Sequence, residues 1–449
     1  MAARTVVVLS ERQRSRFRNR LVWATIGGEG IDGYVLGTIG AAMSLIRDDL
    51  GLNTWQEGLL GAGALIGIFF GSPLFGRLTD RFGRKPMFTL DILVFVIGSL
   101  LQMIAQNWET LFAIRLLMGV AIGGEYSVGG PLLGEFSPSA HRGRTMGNMM
   151  TAWYVGYLAG WVLGWAFEDT APGNWRWVLG SSFVPAFVVM LLRIGTPESP
   201  YWLAEVGRRA EAQEIVRKYG VELVLGAPVA GRRTTRAGFR ELLKPEYRRA
   251  TIFCCTFYPA LVAPYFAIGT FAPQVLAALG LDAPLATTLA TNGIAVAGVV
   301  AGTLIVDRIG RRALLIPQFW ITAAAFLVLA AWHDAPIAVV IGMFSIFSFL
   351  NPMASPLCAI YPAEVFPTRV RTTGTGVASA ASRIGAALGT YLVPSALTGI
   401  GVGWTMFIGA LVLFAGGVVS QLMAPETTGL ELDKAARPSD SDELPVTTG

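Results

Sequence analysis

The chain has 449 residues, of which 53% are hydrophobic and 14% charged, and its formal net charge is +5. Soluble proteins carry about 25% charged residues, so this chain has too few charges to cover a soluble surface. Its three cysteines lie in apolar runs and its two histidines in polar breaks, which excludes a disulfide framework and a histidine-rich metal site. The composition therefore predicts an integral membrane protein without metal or cofactor. Its basic residues lie between apolar runs, which does not suit a nucleic-acid-binding surface.

Twelve apolar runs are long enough to cross a bilayer core about 30 Å thick, which needs roughly 20 residues per helix. A basic arm at 1–21 comes first, and a polar loop at 195–249 separates six runs at 22–194 from six at 250–423, before a tail at 424–449. The predicted spans are 22–46, 57–77, 87–106, 108–134, 146–167, 175–194, 250–277, 285–306, 313–332, 336–360, 373–397 and 402–423.

The breaks between the spans alternate in charge. Lys and Arg concentrate in 77–86, 141–144, 195–249, 307–312 and 369–371, whereas the other breaks are short and mostly acidic or uncharged. Positive charge marks the cytoplasmic side, so both termini and the long loop are expected there. We expect an all-α, multi-pass monomer in a prokaryotic cytoplasmic membrane, surrounded by lipid.

The first span carries two acids, Glu29 and Asp32. Asp32 lies roughly 15 Å into the helix, near the middle of the membrane. Ionisable groups in a span cost at least about 2.5–3.5 kcal/mol to insert, which favours a functional role. We predict that Asp32 binds a coupling proton, and the alternative is a structural Asp–Arg pair. Glu29 lies on the same helix face and is either a second proton carrier or polar lining.

Three motifs occur twice in the chain. Asp-Arg-Phe-Gly-Arg-Lys at 80–85 recurs as Asp-Arg-Ile-Gly-Arg-Arg at 307–312, about 227 residues later. A Glu-x-x-Pro motif followed by arginines, at 135–144, recurs at 364–371, and Pro-Glu-Ser at 197–199 recurs as Pro-Glu-Thr at 425–427. These repeats predict two pseudo-symmetric six-helix bundles with a substrate site between them at mid-membrane depth.

The repeated charges are predicted to form a cytoplasmic gate. Glycines in the motif allow close approach and a tight turn, and its charges can hold the two halves together in one state. The alternative is that these charges only set the topology. The predicted gate residues are Gly76, Asp80, Arg81, Gly83, Arg84, Glu135, Arg144, Asp307, Arg311, Glu364 and Arg371.

Four further charges lie in or near spans. Glu125 is nearer the cytoplasmic end of its span and is expected to join the gate. Asp91 and Arg193 lie near span ends, where side chains can reach the membrane surface. Arg383 lies as deep in the eleventh span as Asp32 does in the first, and its guanidinium is suited to bidentate binding of a carboxylate or phosphate.

The segment 76–85 resembles the loop 2–3 signature of the major facilitator superfamily, and 307–312 resembles its loop 8–9 counterpart. Arg115 with the glycines at 119 and 123, and the Pro-Glu-Ser and Pro-Glu-Thr motifs, are similar to the sugar-porter branch. The resemblance implies alternating access, with spans 1 and 11 facing a central cavity. It also implies that Arg115 assists proton coupling by pairing with Asp32 or Glu29.

The chain departs from the sugar-porter pattern at the substrate site. Gly33-Tyr34 is followed by Val35, where sugar porters typically carry an acid, and spans 5 and 7 have aromatic residues where those proteins have glutamines. Ser-Arg-Ile-Gly at 382–385 is similar to the arginine-bearing helix 11 of organic-acid symporters, and Asp-Gly-Tyr at 32–34 is similar to the start of their first helix.

We therefore predict a secondary transporter, not an enzyme, that carries a small organic acid, aromatic or otherwise, together with protons. The predicted substrate-binding residues are Arg383, Tyr34, Trp153, Tyr157, Tyr265 and Asn292. Any of the aromatic residues could instead pack between helices. The alternatives are a sugar or polyol:proton symporter, supported by the Pro-Glu-Ser and Pro-Glu-Thr motifs, and a non-transporting nutrient sensor on the same fold.

Overall fold

The structure, a computed structural model, describes residues 9–136, 142–167, 171–220, 239–332, 335–367 and 370–427, although not the side chains at 142–146. The described part of the chain is helical. The first half contains α1 (Glu11–Leu50), α2 (Thr54–Phe82), α3 (Arg84–Met103), α4 (Trp108–Phe136), α5 (Arg142–Ala166), α6 (Trp175–Gly180) and α7 (Phe183–Arg193).

Two short helices, α8 (Pro200–Glu205) and α9 (Arg209–Tyr219), belong to the loop between the halves. The second half contains α10 (Pro245–Thr270), α11 (Ala272–Ala278), α12 (Pro284–Ile309), α13 (Arg311–Ala331), α14 (Ile337–Ala354), α15 (Leu357–Val365), α16 (Arg371–Gly399) and α17 (Gly401–Met423). The pairs α6–α7, α10–α11 and α14–α15 each form one interrupted span. The described helices thus form twelve spans in two six-helix bundles, which confirms the predicted fold class, while the exact domain boundaries stay a prediction.

Nine of the spans in the described ranges are long and apolar enough to cross a membrane. The three that fall short are α1, α5 and α16, which carry charges, glycines and hydroxyl groups within their length. Each of these three helices packs against a helix of the opposite half. Their polarity therefore belongs to the surface between the two bundles and not to the lipid-facing surface.

Capping residues define where the first two helices begin. Ser10 and Gln13 form a capping box at α1, and Asn53 and Gln56 form another at α2. Gly51 ends α1 with a φ of 61°, a left-handed conformation that glycine adopts without strain.

Asp49 ties the end of α1 to α6. Its carboxylate accepts hydrogen bonds from Trp175 Nε1 at 2.9 Å and from Arg176 Nη1 at 2.8 Å. The pKa of Asp49 is lowered below its usual value, mainly by the hydrogen bond from the Trp175 indole and also by Arg176.

The helices α1 and α5 touch through their backbones. A methyl group on Gly33 or Gly37 would run into the carbonyl oxygens of Trp153 and Tyr157, and one on Gly156 would run into the carbonyl of Gly30. Small residues allow membrane helices to approach this closely. The contact fixes the rotation of α1 and so determines which of its faces carries each acid.

The two halves meet at both ends of the molecule. The loops at Gly83 and Gly310 mark one end, which we call the basic end. Near it, Gly147 at the start of α5 lies against Thr303 in α12. At the opposite end the amide of Gln274 donates a hydrogen bond to the carboxylate of Glu57. Residues at the middle of the interface are therefore enclosed.

Candidate transport site

Arg383 lies in α16 with 8% of its surface exposed, between aromatic rings of both halves. Its guanidinium carbon is 5.3 Å from the ring centroid of Tyr126 in α4 and 5.9 Å from that of Phe266 in α10. Within the described ranges no acid comes close enough to form an ion pair with it, and its Nε has no hydrogen-bond partner. The Tyr258 side chain hydrogen-bonds to the guanidinium and Glu29 lies near enough for an electrostatic interaction with its charge, but neither forms an ion pair with it. A buried cation without an ion-pair partner is costly, so this position suits an anionic ligand.

Four aromatic residues form a group beside Arg383, which we call the aromatic box: Trp153 and Tyr157 from α5, and Tyr265 and Phe266 from α10. Trp153 stacks on Tyr157 with ring centroids 5.3 Å apart, and Tyr157 lies 5.9 Å from Tyr265. Trp153 also contacts Phe266 edge-on at 5.7 Å. Phe266 thereby joins the box to Arg383.

The box holds three hydrogen-bonding groups that are buried without a partner among the described residues. They are the indole Nε1 of Trp153 and the hydroxyls of Tyr157 and Tyr265. Buried polar groups are normally hydrogen-bonded, so an unsatisfied set that converges between two domains fits the polar part of a ligand. The structure thus brings together Arg383, Trp153, Tyr157 and Tyr265, as predicted from the sequence.

Two predicted substrate residues do not join this group. The Tyr34 hydroxyl shares a 2.7 Å hydrogen bond with Ser181, so its ring points into the first half and away from the box. Asn292 donates to the carbonyl of Thr288, one turn earlier in its own helix. In this structure neither side chain belongs to the aromatic box, because a residue's depth in a span does not determine the helix face on which it lies, and a role in substrate binding stays a prediction for both.

Glu29 and Asp32 are buried, with 3% and 0% of their surfaces exposed. Neither forms an ion pair with a described residue, and both carboxylate oxygens of Asp32 lack hydrogen-bond partners there. The predicted pairing of Arg115 with one of them is wrong for this structure. The Nη1 of Arg115 instead donates to the backbone carbonyl of Val35 at 3.0 Å, at the position where sugar porters carry their acid.

Asp91, Glu125 and Arg193 form a buried ion-pair network inside the first half. Arg193 Nη1 lies 2.9 Å from Asp91 Oδ1, and its Nη2 lies 2.6 Å from Glu125 Oε2. The guanidinium also covers the ring of Phe88 at 3.7 Å. The expected extension of Asp91 and Arg193 to the membrane surface is therefore wrong, and Glu125 belongs to this network instead of a gate.

The first copy of the repeated motif forms a compact cluster at the basic end. Arg84 pairs with Glu135, and the hydroxyl of Ser199 donates to Glu135 at 2.6 Å. Glu198 accepts from the backbone N–H groups of Arg84 at 2.8 Å and Lys85 at 3.1 Å. Burial raises the pKa of Glu135, although the neighbouring Arg84 opposes this.

The second copy repeats this arrangement. Arg311 lies 3.0 Å from Asp307 and 3.3 Å from Glu364, and the Thr427 hydroxyl donates to Glu364. Glu426 accepts from the backbone N–H groups of Arg311 and Arg312, both at 3.0 Å. The Pro-Glu-Ser and Pro-Glu-Thr motifs thus serve as anionic caps for the start of α3 and α13.

Among the described side chains, the ion pairs of these two clusters each join residues of the same half, and the gate stays a prediction. Gly83 does make the tight turn, with a φ of 100°, whereas a methyl group on Gly76 would meet no described atom within 4 Å. Other predicted gate residues also make contacts near their own position in the chain or within their own half. Arg81 lies over Phe82, the backbone carbonyl of Asp80 accepts from Trp202, and Arg371 donates to the carbonyl of Phe366. The side chain of Arg144 lies outside the described residues.

Sequence analysis missed Tyr126 as a neighbour of Arg383, and it missed the network around Arg193. One feature of the sequence could have predicted the network. Asp91 and Glu125 lie within about 16 Å of the basic end of their helices, counted at 1.5 Å per residue, and Arg193 ends its own helix there. Two acids and one base at similar depth suggest mutual pairing. No comparable signal points to Tyr126.

Known proteins resemble this chain over nearly its whole length. A sequence model of the sugar (and other) transporter family matches residues 21–438. The inner membrane metabolite transport protein YgcS of Escherichia coli is 38% identical over 433 residues, which covers 96% of this chain and 97% of that protein. The glucose transporter GlcP of Staphylococcus epidermidis is 27% identical over 430 residues, covering 90% of this chain and 93% of its own.

Solved structures show the same fold. The xylose transporter XylE from E. coli, in a partially occluded inward-open conformation, superimposes with a TM-score of 0.77 at 19% identity and covers 93% of this chain and 100% of its own. The family match, the relatives and the two-bundle architecture agree. The chain belongs to the sugar (and other) transporter family of the major facilitator superfamily and is a multi-pass membrane transporter.

Proposed function

We propose that the chain is a proton-coupled symporter of a small organic acid that works by alternating access. Arg383 is the observation that carries this proposal. It is a buried guanidinium at the interface of the two halves, faced by aromatic rings and by no described acid within ion-pairing distance. A carboxylate can bind both of its terminal nitrogens, and such a bidentate pair supplies orientation as well as energy.

The aromatic box would receive the remainder of the substrate. Trp153 and Phe266 offer flat apolar surface, while the indole N–H and the hydroxyls of Tyr157 and Tyr265 offer hydrogen bonds. A substrate with a carboxylate at one end and a ring or hydroxyl groups at the other would satisfy both parts.

Asp32 is the proposed proton carrier, and Glu29 a second acid close to it. Each is buried without an ion-pair partner in the described ranges, so the neutral, protonated form is favoured while the site is closed. Access to water on either side of the membrane would allow the proton to be loaded and released. We propose a cytoplasmic membrane location with both termini inside, in line with the charge of the breaks.

Sugar:proton symport is the second candidate. It is favoured by the family description and by relatives such as GlcP and the arabinose-proton symporter of Bacillus subtilis, which is 25% identical over 423 residues. The three unsatisfied donors of the box could bind sugar hydroxyls. This candidate leaves the buried charge of Arg383 without an ion-pair partner among the described residues.

Competition in proteoliposomes distinguishes the two candidates. We would compare gluconate with glucose, and benzoate with benzyl alcohol, because each pair differs mainly in the carboxylate. Arg383→Gln should weaken carboxylate binding by about tenfold or more, since a hydrogen bond to a charged group contributes about 1.5–3 kcal/mol. Arg383→Lys should retain part of the affinity, and the surface variant Arg176→Gln should retain all of it. If glucose competes as well as gluconate in the unmodified protein, the organic-acid proposal is wrong.

The role of Asp32 has a separate test. Asp32→Asn should abolish uphill uptake driven by an imposed pH gradient but leave counterflow exchange of labelled substrate. Equal loss of both activities would show that Asp32 is structural. A protein that binds substrate but gives neither uptake nor exchange would support the nutrient-sensor alternative.

A further inference from the structure

The first half buries four acids close to a single arginine. Glu29 and Asp32 come from α1, Asp91 from α3 and Glu125 from α4, and Arg193 of α7 pairs with Asp91 and Glu125. Each of these five residues has less than 5% of its surface exposed, with the largest value 4% at Arg193. Four helices thus bring titratable groups to one enclosed volume.

Asp32 faces this network. Gly28 lies one turn before Asp32 on the same face of α1, and a methyl group on Gly28 would contact Arg193 Nη2 and Glu125 Oε1. The charged groups that act on Asp32 are Glu29 on its own helix and Asp91, Glu125 and Arg193 on the helices packed against it. Both oxygens of Asp32, Asp91 Oδ2 and Glu125 Oε1 are buried without hydrogen-bond partners in the described ranges.

The balance of charge in this volume favours a bound proton. Arg193 offsets one of its two paired carboxylates, so the ion-pair network alone carries one excess negative charge when both acids are ionised. An ionised Asp32 would add a second. Uncompensated charges in a buried site are costly, and a proton on Asp32 removes one of them.

The second half shows that this fold does not require such charges. About 227 residues after Asp91 the corresponding helix carries Gln318, and the residue that matches Glu125 in the repeat is Ala354. Both are buried, at 1% and 0% exposure. A bundle built on the same plan therefore packs with a neutral interior at these positions, which argues against a purely structural role for the acids.

We propose that the coupling proton binds to Asp32 within a carboxylate cluster formed by Asp32, Asp91, Glu125 and Arg193. Asp91 and Glu125 are positioning residues in this proposal. They supply two carboxyl groups to the single guanidinium of Arg193, and the excess acid charge that Arg193 does not offset lies beside Asp32 and strengthens proton binding there. This inference rests on the proposed proton coupling, but it does not depend on which substrate is carried.

The test measures how transport depends on pH. Counterflow and gradient-driven uptake would be recorded in proteoliposomes between pH 5 and pH 8, for the unmodified protein and for Glu125→Gln and Asp91→Asn. Removing a negative neighbour weakens proton binding, so the midpoint of gradient-driven uptake should move to lower pH by about one unit or more. Counterflow should persist. Glu125→Asp, which keeps the carboxylate, should return the midpoint toward that of the unmodified protein.

Two further variants make the outcome decisive. Glu211→Gln, at an exposed ion pair on α9, should leave the midpoint unchanged. If a single variant fails to fold, the triple variant Asp91→Gln, Glu125→Ala and Arg193→Gln places the neutral residues of the second half at the two acid positions, and it removes the arginine charge so that no unpaired charge is left in the network. It should fold and show the same shift.

The results separate this inference from the proposed function. If the pH midpoint of gradient-driven uptake is unchanged in the folded neutral variants, the carboxylate-cluster proposal is refuted and the proposed function is not. If transport by the unmodified protein does not depend on pH, the proposed proton coupling is refuted, and the carboxylate-cluster proposal is refuted with it.

Discussion

Replacing Glu198 tests whether the two clusters at the basic end stabilise only the half to which each belongs. Its carboxylate accepts from the backbone N–H groups of Arg84 at 2.8 Å, Lys85 at 3.1 Å and Ser199 at 2.8 Å. In Glu198→Ala these three donors lose their acceptor, two of them at the start of α3. Loss of an N-terminal cap costs about 0.5–2 kcal/mol, and loss of an anion beside a helix N-terminus about 0.3–1 kcal/mol. Since water can replace part of both, we expect a destabilisation of about 1–2 kcal/mol.

The second half provides a matched variant. Glu426 accepts from the N–H groups of Arg311 at 3.0 Å, Arg312 at 3.0 Å and Thr427 at 3.1 Å. Because both carboxylates accept from three backbone N–H groups at similar distances, Glu426→Ala should also destabilise the protein by about 1–2 kcal/mol.

Two measurements on the purified protein decide the question. Unfolding in detergent gives the stability of each variant, with the exposed residue Glu211→Ala as control. Spin labels, one on each half at the basic end, report the distance between the halves. Contacts within a half predict lower stability with an unchanged distance distribution. A shifted distribution at unchanged stability would refute this reasoning and support the gate interpretation.

Three other changes have defined outcomes. Gly33→Val should prevent folding, as judged by the yield of monodisperse protein, because its side chain would meet a carbonyl of α5, whereas Gly76→Ala should have no effect. Val35→Asp should be at least as thermostable as Val35→Asn, because Arg115 already reaches this position, and the advantage should vanish in an Arg115→Gln background. Asp49→Asn should lower the melting temperature at pH 7, and this effect should shrink as the pH is lowered below about 4. Its pKa is lowered in the folded protein, so its stabilisation is present above about pH 4 and lost as the pH falls through the folded value.

The features predicted well from the sequence are those that depend on local composition. Apolar runs of the right length predicted the spans, and depth in the spans predicted that Arg383 and the aromatic residues of α5 and α10 lie near each other, although their role in binding stays a prediction. These signals suffice because a membrane admits few arrangements of backbone.

The errors concern which helix face a residue occupies and which partner it finds. Tyr34 and Tyr157 have similar depth and chemistry, yet one bonds Ser181 inside the first half and the other stacks on Trp153. Arg193 ends its helix, where exposure is usual, but neighbouring helices cover it and supply two acids. Such outcomes depend on how helices rotate and pack, which no single segment encodes.

The aromatic box contains residues of both bundles, which move relative to each other in the proposed alternating-access cycle. Trp153 and Tyr157 belong to one bundle and Tyr265 to the other, so a rocking motion of the bundles would separate Tyr265 from the two rings that it contacts. If the proposed substrate binds there, it contacts both bundles while the site is closed and loses the contacts of one bundle as they separate. Substrate release would then be coupled directly to opening of the interface.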